Sequence, residues 1–212
     1  MTTKPRIRVP YQEAARQLLR QSVFDATREL LDARDWGEIT MADLATAAGM
    51  SRQTLYNEFK SRQGVAQAYV LRLVDGYLDD VEKAVADHPF DAKGALREAF
   101  SGFLAGASSD PMVRSAILGI ANPDVMRLVT SEGAPLLEVA TARLGRIFVE
   151  CWAQVDEDQA RLLSTHLVRS ALSYVTLGPT AGEHPAEDIS ALLAPFVDAV
   201  IGAQVSQDEP GR

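Results

Sequence analysis

Ser51, Arg52, Gln53, Thr54, Tyr56, Asn57 and Lys60 crowd one short run, "SRQTLYNEFK", and each carries a group able to meet nucleic acid. Gln and Asn amides match the donor and acceptor edge of adenine, Arg matches guanine, and Thr offers a hydroxyl or a methyl. Tyr, Lys and Ser suit phosphate oxygens. The same residues on an ordinary solvated helix would do nothing of the kind, so their placement decides between the two readings. At roughly 100° per residue, Leu55 and Phe59 fall on one side while Gln53 and Asn57 point almost opposite. Thr54 and Lys60 flank the outward pair, and Tyr56 lies on the margin.

That placement needs partners. Thr40 reads as the N-cap of a helix from Met41 to Ala48, with Asp43 in its first turn and Gly49 as a left-handed stop. Ser51 caps the next helix, which ends near Lys60. Upstream, Tyr11 to Ala33 reads as a helix with an apolar side of Leu19, Val23, Phe24, Ala26, Leu30 and Leu31. Three helices, the last two joined by a short glycine turn, outline a helix-turn-helix. The helix N-termini at Thr40 and Ser51 would turn N–H groups toward the phosphates.

The segment resembles the N-terminal domain of TetR-family transcriptional regulators. The pattern "hxxLAxxAGhSxxTLYxxFxS" (h apolar) after a threonine is met by Thr40, Leu44, Ala45, Ala48, Gly49, Ser51, Thr54, Leu55, Tyr56, Phe59 and Ser61. "VFDATRELLDARDW" resembles the family's first helix, and the strong match covers about residues 18–66. The resemblance implies base contacts from some of Arg52, Gln53, Thr54 and Asn57. It implies phosphate contacts from Thr40, Ser51, Tyr56, Lys60 and Arg62. Two departures stand out: Asp35 where the family often ends the first helix with glycine, and Arg62 where a lysine commonly opens the fourth. Lys4, Arg6 and Arg8 are either a minor-groove arm or a solubilising tail.

Charge follows the same division. The chain has 212 residues and a net charge of −8, yet residues 1–65 hold ten Lys/Arg against eight Asp/Glu. Residues 66–212 hold eleven against twenty-one, so the acidity sits outside the proposed head. The lone Cys151 excludes an internal disulfide and fits a reducing compartment. No apolar run reaches a membrane-spanning length, and the basic start lacks the apolar block of a secretory signal. The expectation is a cytoplasmic protein that does not enter the membrane.

Helical periodicity continues to the end. A fourth helix runs from Ser61 to about Asp87 and breaks at "DHPFD"; others are expected over 92–106, 110–119, 123–130, 135–153, 157–177 and 186–203, with Pro195 kinking the last. The fold class is all-α. It comprises an N-terminal three-helix helix-turn-helix domain, 1–65 with 1–10 a flexible basic arm, and a long helix leading into an effector-binding and dimerisation domain, 66–205. Residues 206–212 form a frayed tail.

The resemblance places a ligand among the middle helices and a homodimer contact on the last two. Candidate pocket residues are Tyr69, Leu73, Tyr77, Phe100, Phe103, Leu104, Met112, Ile117, Ile120, Met126 and Leu136, with Trp152 and His166 deeper. Tyr69, Leu73 and Tyr77 are spaced by four and are expected on one face. Aromatics and methionines with few charges favour a lipophilic, fatty-acid-like effector. The stripes Leu163, Leu167, Ser170, Tyr174 and Ile189, Leu193, Phe196, Val200 are candidate dimer contacts, or simple core. No hydrolase, zinc-protease or phosphate-loop motif occurs, and His88, His166 and His184 lack zinc-ligand spacing. Cys151 with His166 is the one pair of catalytic residue types, without the usual context. No cofactor is expected. The reading is a ligand-responsive, operator-binding repressor, against a small helical carrier or adaptor that would not retain specific DNA.

Overall fold

The structure, a computed structural model, describes residues 11–117, 123–152 and 155–205. Ten α-helices occur among the described residues: α1 Tyr11–Ala33, α2 Met41–Ala47, α3 Arg52–Phe59, α4 Arg62–Asp87, α5 Ala92–Ser109, α6 Pro111–Ile117, α7 Pro123–Val129, α8 Ala134–Cys151, α9 Glu157–Leu177 and α10 Pro185–Val205. The chain divides into two units between Val65 and Ala66, a point inside α4.

In the first unit, Val23, Phe24, Ala26 and Leu31 of α1 are buried, as are Leu44 of α2 and Leu55 and Phe59 of α3. Phe24 meets Phe59 edge-on at 6.2 Å. A 3₁₀ turn, Trp36–Glu38, lies between α1 and α2 and buries Trp36. Asp35 precedes it in an extended conformation, φ −68° and ψ 149°, so this position does not require the left-handed backbone that glycine favours.

The α2–α3 turn closes as its sequence suggests. Thr40 Oγ1 accepts from the Asp43 N–H at 3.2 Å and the Asp43 carboxylate accepts from the Thr40 N–H at 2.9 Å, a reciprocal cap. Gly49 has φ +66°, and the N–H of Met50 bonds back to the Ala45 carbonyl. This is the Schellman stop, in which a left-handed residue lets the chain reverse while satisfying the last carbonyls.

The α3–α4 joint is tighter. Lys60 has φ 67° and ψ −39°, and the Ser61 N–H reaches the Phe59 carbonyl at 2.8 Å, which makes Phe59–Ser61 a γ-turn. A Cβ on Gly64 would collide with the same carbonyl oxygen. A glycine is needed there, and a strained lysine carries the turn.

In the second unit α8 lies against α9 and α10 against α5, around a core that includes Phe148, Trp152, Leu163 and Val197. Asp156 caps α9 reciprocally with Gln159, and Gly178, φ +68°, ends it. α10 runs through Pro195, so the proline does not end the helix. No described helix is long and apolar enough to cross a membrane.

Leu55→Ala would remove a fully buried side chain from the smaller core, and the expected loss is about 2–5 kcal/mol in urea unfolding. A loss below about 1 kcal/mol would mean that this site collapses freely, against its burial.

Candidate nucleic-acid interface and effector cavity

The polar side chains of α3 stand where the helical phase puts them. Arg52, Gln53, Tyr56 and Asn57 are exposed, Thr54 is half-buried, and Leu55 and Phe59 face inward. Ser51 Oγ accepts from the Thr54 N–H at 3.1 Å and lies 2.8 Å from Thr54 Oγ1. The Gln53 amide donates to Asn57 Oδ1 at 2.9 Å, which aligns the two side chains along the outward face. Lys60 Nζ donates to the Asn57 carbonyl at 2.6 Å, closing the end of α3. Thr40 and Ser51 are exposed at the starts of α2 and α3. Lys4, Arg6 and Arg8 lie outside the described residues.

Arg62 is placed differently from a phosphate clamp. It is half-buried, and its Nη1 donates to the carbonyls of Trp36 at 2.9 Å, Gly37 at 3.2 Å and Ile39 at 3.3 Å. Its guanidinium also lies 5.5 Å from the Trp36 ring centroid. These contacts tie the first turn of α4 to the 3₁₀ segment.

A second clamp holds α3 itself, and the motif gave no hint of it. Arg16 Nε donates to both Glu58 oxygens, at 2.9 and 2.8 Å, and Arg20 Nη1 to Glu58 Oε1 at 2.7 Å. The Arg20 guanidinium lies over Phe59 at 5.0 Å and Phe24 at 5.6 Å. The available signal was the four-residue spacing of Arg16 and Arg20 on α1, together with an acid sitting beside the buried Phe59. Burial works to raise the Glu58 pKa, but the two arginines outweigh it and hold the carboxylate below its ordinary range.

In the second unit, α4, α5, α8 and α9 enclose a cavity of about 110 Å³. Tyr77, Phe100, Phe103 and Leu136 line it, as expected, beside aliphatic residues chosen by no aromatic or methionine signal: Val74, Leu78, Val81, Leu144 and Leu172 among them. Tyr77 and Phe103 meet edge-on at 5.5 Å; a Cβ at Gly106 would come within 2.7 Å of the Tyr77 ring.

The other pocket candidates lie off this lining. Buried Tyr69 donates its hydroxyl to the equally buried Asp110 at 2.7 Å. Tyr69 and Tyr77 diverge because each four-residue step advances about 40° beyond a full turn, so two steps accumulate about 80°. Leu73, Leu104 and Met126 are half-buried, Met112 is buried, and His166 is exposed on α9. Trp152 stacks on Phe148, a lining residue, at 5.1 Å. Ile120 and the side chain of Ile117 lie outside the described residues. Burial raises the pKa of the Cys151 thiol, so it is a poor nucleophile at neutral pH.

The two stripes expected to meet a second copy face inward. Leu163, Leu167 and Ile189 are buried within their own chain, and Leu167 lines the cavity. Tyr174, Leu193, Phe196 and Val200 are half-buried against that core, with Tyr174 edge-on to Phe100 at 5.9 Å; Ser170 is half-buried. Apolar periodicity marked the buried face of each helix, and core packing claimed it first. At the flanks of these stripes Leu162, Leu177 and Leu192 are 47%, 82% and 72% exposed.

Between α4 and α8, Arg143 donates to the Asp75 carboxylate and main-chain carbonyl, both at 2.9 Å, and to the Asp79 carboxylate. Partial burial disfavours its charge, but these acceptors outweigh it and raise its pKa.

Glu58 gives a pH test. Its folded pKa is depressed, so its contribution is complete above the unfolded value and is lost as pH falls through the folded one. Glu58→Gln is expected to cost roughly 1–2 kcal/mol at pH 7 by urea unfolding, with the gap closing in acid. An equal gap at pH 7 and pH 3.5 or so would show that the charge is not the cause.

Comparison with known proteins agrees with this geometry. Residues 23–69 match the family described as bacterial regulatory proteins, tetR family, and residues 91–195 match the bacterial tetracyclin repressor, C-terminal domain. The HTH-type transcriptional regulator AlkX of Mycobacterium tuberculosis is 44% identical over 197 residues, covering 93% of each chain. The crystal structure of the TetR family repressor AlkX from a Dietzia species, implicated in biodegradation of n-alkanes, superposes with a TM-score of 0.77 at 39% identity, covering 84% of this chain and 97% of that one. Thermus thermophilus FadR, solved with lauroyl-CoA, shares the fold at 24% identity and a TM-score of 0.51, over 84% of this chain and 93% of that one. The curated relatives are regulators of transcription. With a helix-turn-helix head, a helical body and a relative of this identity along nearly its whole length, the chain belongs to the TetR family of transcriptional regulators.

Proposed function

We propose that this regulator is a homodimeric repressor, released from a pseudo-palindromic operator by a lipophilic effector. Residues 1–65 read DNA, and residues 66–205 bind effector and dimerise. The observation that carries the reading is the outward row on α3, held on a helix whose inward face is buried. Arg52, Gln53, Thr54 and Asn57 meet base edges; Thr40, Ser51, Tyr56 and Lys60 meet phosphates. The Gln53–Asn57 bond leaves the other half of each amide, an acceptor on Gln53 and a donor on Asn57, for one adenine edge. Arg62 serves by bracing α4 on the Trp36 carbonyls rather than by gripping DNA.

The cavity supplies the effector site, with a wall of hydrocarbon and aromatic rings. Similarity to a repressor implicated in biodegradation of n-alkanes supports genes of hydrocarbon handling as the targets. Because α4 contains both Arg62 and the cavity-lining Val74 and Val81, a ligand that displaces it bears on the head. The effect is bounded by the ligand's preference between the two states, about 5–150-fold for a coupling of 1–3 kcal/mol. Such a protein works in the cytoplasm, where the DNA is.

Dimerisation falls to the outward faces of α9 and α10, where Leu162, Leu177 and Leu192 are exposed beside Pro195 and Ala199. α10 is apolar nearly all round, a composition that suits a helix covered on both sides. Leu192→Asp is expected to give monomers in sedimentation equilibrium at concentrations where the parent is a dimer. Two indistinguishable sedimentation profiles would move the interface elsewhere.

On selected DNA, Gln53→Ala or Asn57→Ala is expected to relax preference at particular positions by about 1–3 kcal/mol. Lys60→Gly is expected to do two opposite things. It relieves a left-handed φ, raising stability by about 1 kcal/mol, and it removes one phosphate contact from each protomer, lowering affinity for all sequences and the salt slope by about two. Binding profiles and salt titration read both. Equal affinity of the parent for random duplex at every salt concentration would sink the operator reading.

A further inference from the structure

A hydrocarbon effector needs nothing but the cavity; an amphipathic acid needs a place for its charge. None of the cavity-lining side chains is ionisable near neutrality, and the Tyr77 hydroxyl is the one polar side-chain group in the wall, so a carboxylate drawn inside would be desolvated with no opposite charge to meet. It must stay at the rim. The rim along α4 and α8 carries one suitable cation. Ala140 and Leu144 line the cavity, and Arg143 lies between them in sequence; Asp75 and Asp79 adjoin the lining residues Val74 and Leu78. The Arg143 cluster therefore borders the hydrocarbon wall. Among the described Lys and Arg of the second unit, Arg143 alone is partly buried. Its side chain is 23% accessible, against 53% for Asp75 and 67% for Asp79.

We propose that Arg143 is the receptor for the acidic end of the effector, whose carboxylate takes the guanidinium over from Asp79. This rests on the reading that a lipophilic effector fills the cavity. The exchange is between like groups: one carboxylate leaves a planar donor fork and another enters it. Asp79 returns to water at little cost, because most of it is there already. Arg143 stays neutralised throughout. The hydrocarbon tail lies along Val74 and Leu144, and loss of the Asp79 bond loosens α4 from α8 as the tail goes in. Tail burial and headgroup exchange then act on one helix. The effector class this selects is a medium- or long-chain fatty acid in its ionised form, in preference to the alkane or alcohol of equal length.

The test measures binding of dodecanoate and of dodecan-1-ol to the full-length protein, its Arg143→Gln form and its Asp79→Asn form. Isothermal calorimetry gives the affinities, and thermal melts confirm folding. The parent is expected to bind dodecanoate about tenfold tighter than the alcohol, the worth of a charge-assisted hydrogen bond. Arg143→Gln should abolish that preference, so that the two compounds bind within about twofold of one another. Asp79→Asn, at an exposed position, should favour dodecanoate over the alcohol by about a further threefold, because it removes the competing carboxylate. A parent without preference overturns the assignment, as does a weaker preference for dodecanoate in Asp79→Asn, while the effector reading stands. If neither compound binds the parent, the lipophilic-effector reading falls, and this assignment with it.

Discussion

An α-helix of eight residues does not hold its shape alone in water, because nucleation costs more than so few hydrogen bonds return. That constraint governs the reading head, since α3 spans only Arg52–Phe59. Its geometry is imposed from outside: Leu55 and Phe59 are buried below it, Ser51 caps its start, and Glu58 is gripped by Arg16 and Arg20 of α1. The exposed polar side chains of α3 come from the motif. Their direction comes from residues far from it in sequence.

This explains how far the sequence could be read. Local chemistry was legible because local geometry decides it. Thr40 with Asp43, Gly49 at φ +66° and the inward pair Leu55 and Phe59 follow from caps, left-handed stops and a 100° step. The boundaries of α1 and α9 follow in the same way. What escaped depends on contacts across helices. Arg62 carries the charge a phosphate would want, yet its reach to three carbonyls near Trp36 is invisible until the chain is folded. An apolar stripe says that a face is covered, not by what. Leu163, Leu167 and Ile189 are covered by their own chain. In the cavity, selection by residue type favoured aromatics and methionines, whereas the wall is largely Val, Leu and Ala brought together by four helices.

The body divides its polar and apolar interactions spatially. Hydrocarbon lines the cavity, while the groups that fasten α4 lie beyond it: Tyr69 on Asp110, and Asp75 with Asp79 on Arg143. α8 and α9, and α5 and α10, approach one another closely; α4 makes no comparably close backbone approach to another helix among the described residues. α4 is nonetheless keyed into the core, where Leu78 and Val85 are buried with Val74 and Val81 packed beside them, so its directional bonds fix its position in addition to its packing.

The single residue between α3 and α4 bears on how the gene can vary. Surface connections usually absorb insertions and deletions, and homologues differ most there. Lys60 leaves no such freedom. Its γ-turn is closed by the Ser61 N–H, and Gly64 lies against the same Phe59 carbonyl. One added residue would turn everything after it by about 100° and advance it by about 1.5 Å, were the helix simply prolonged. The joint therefore behaves as a phase lock between two helices: side chains around it can be exchanged, but its length cannot.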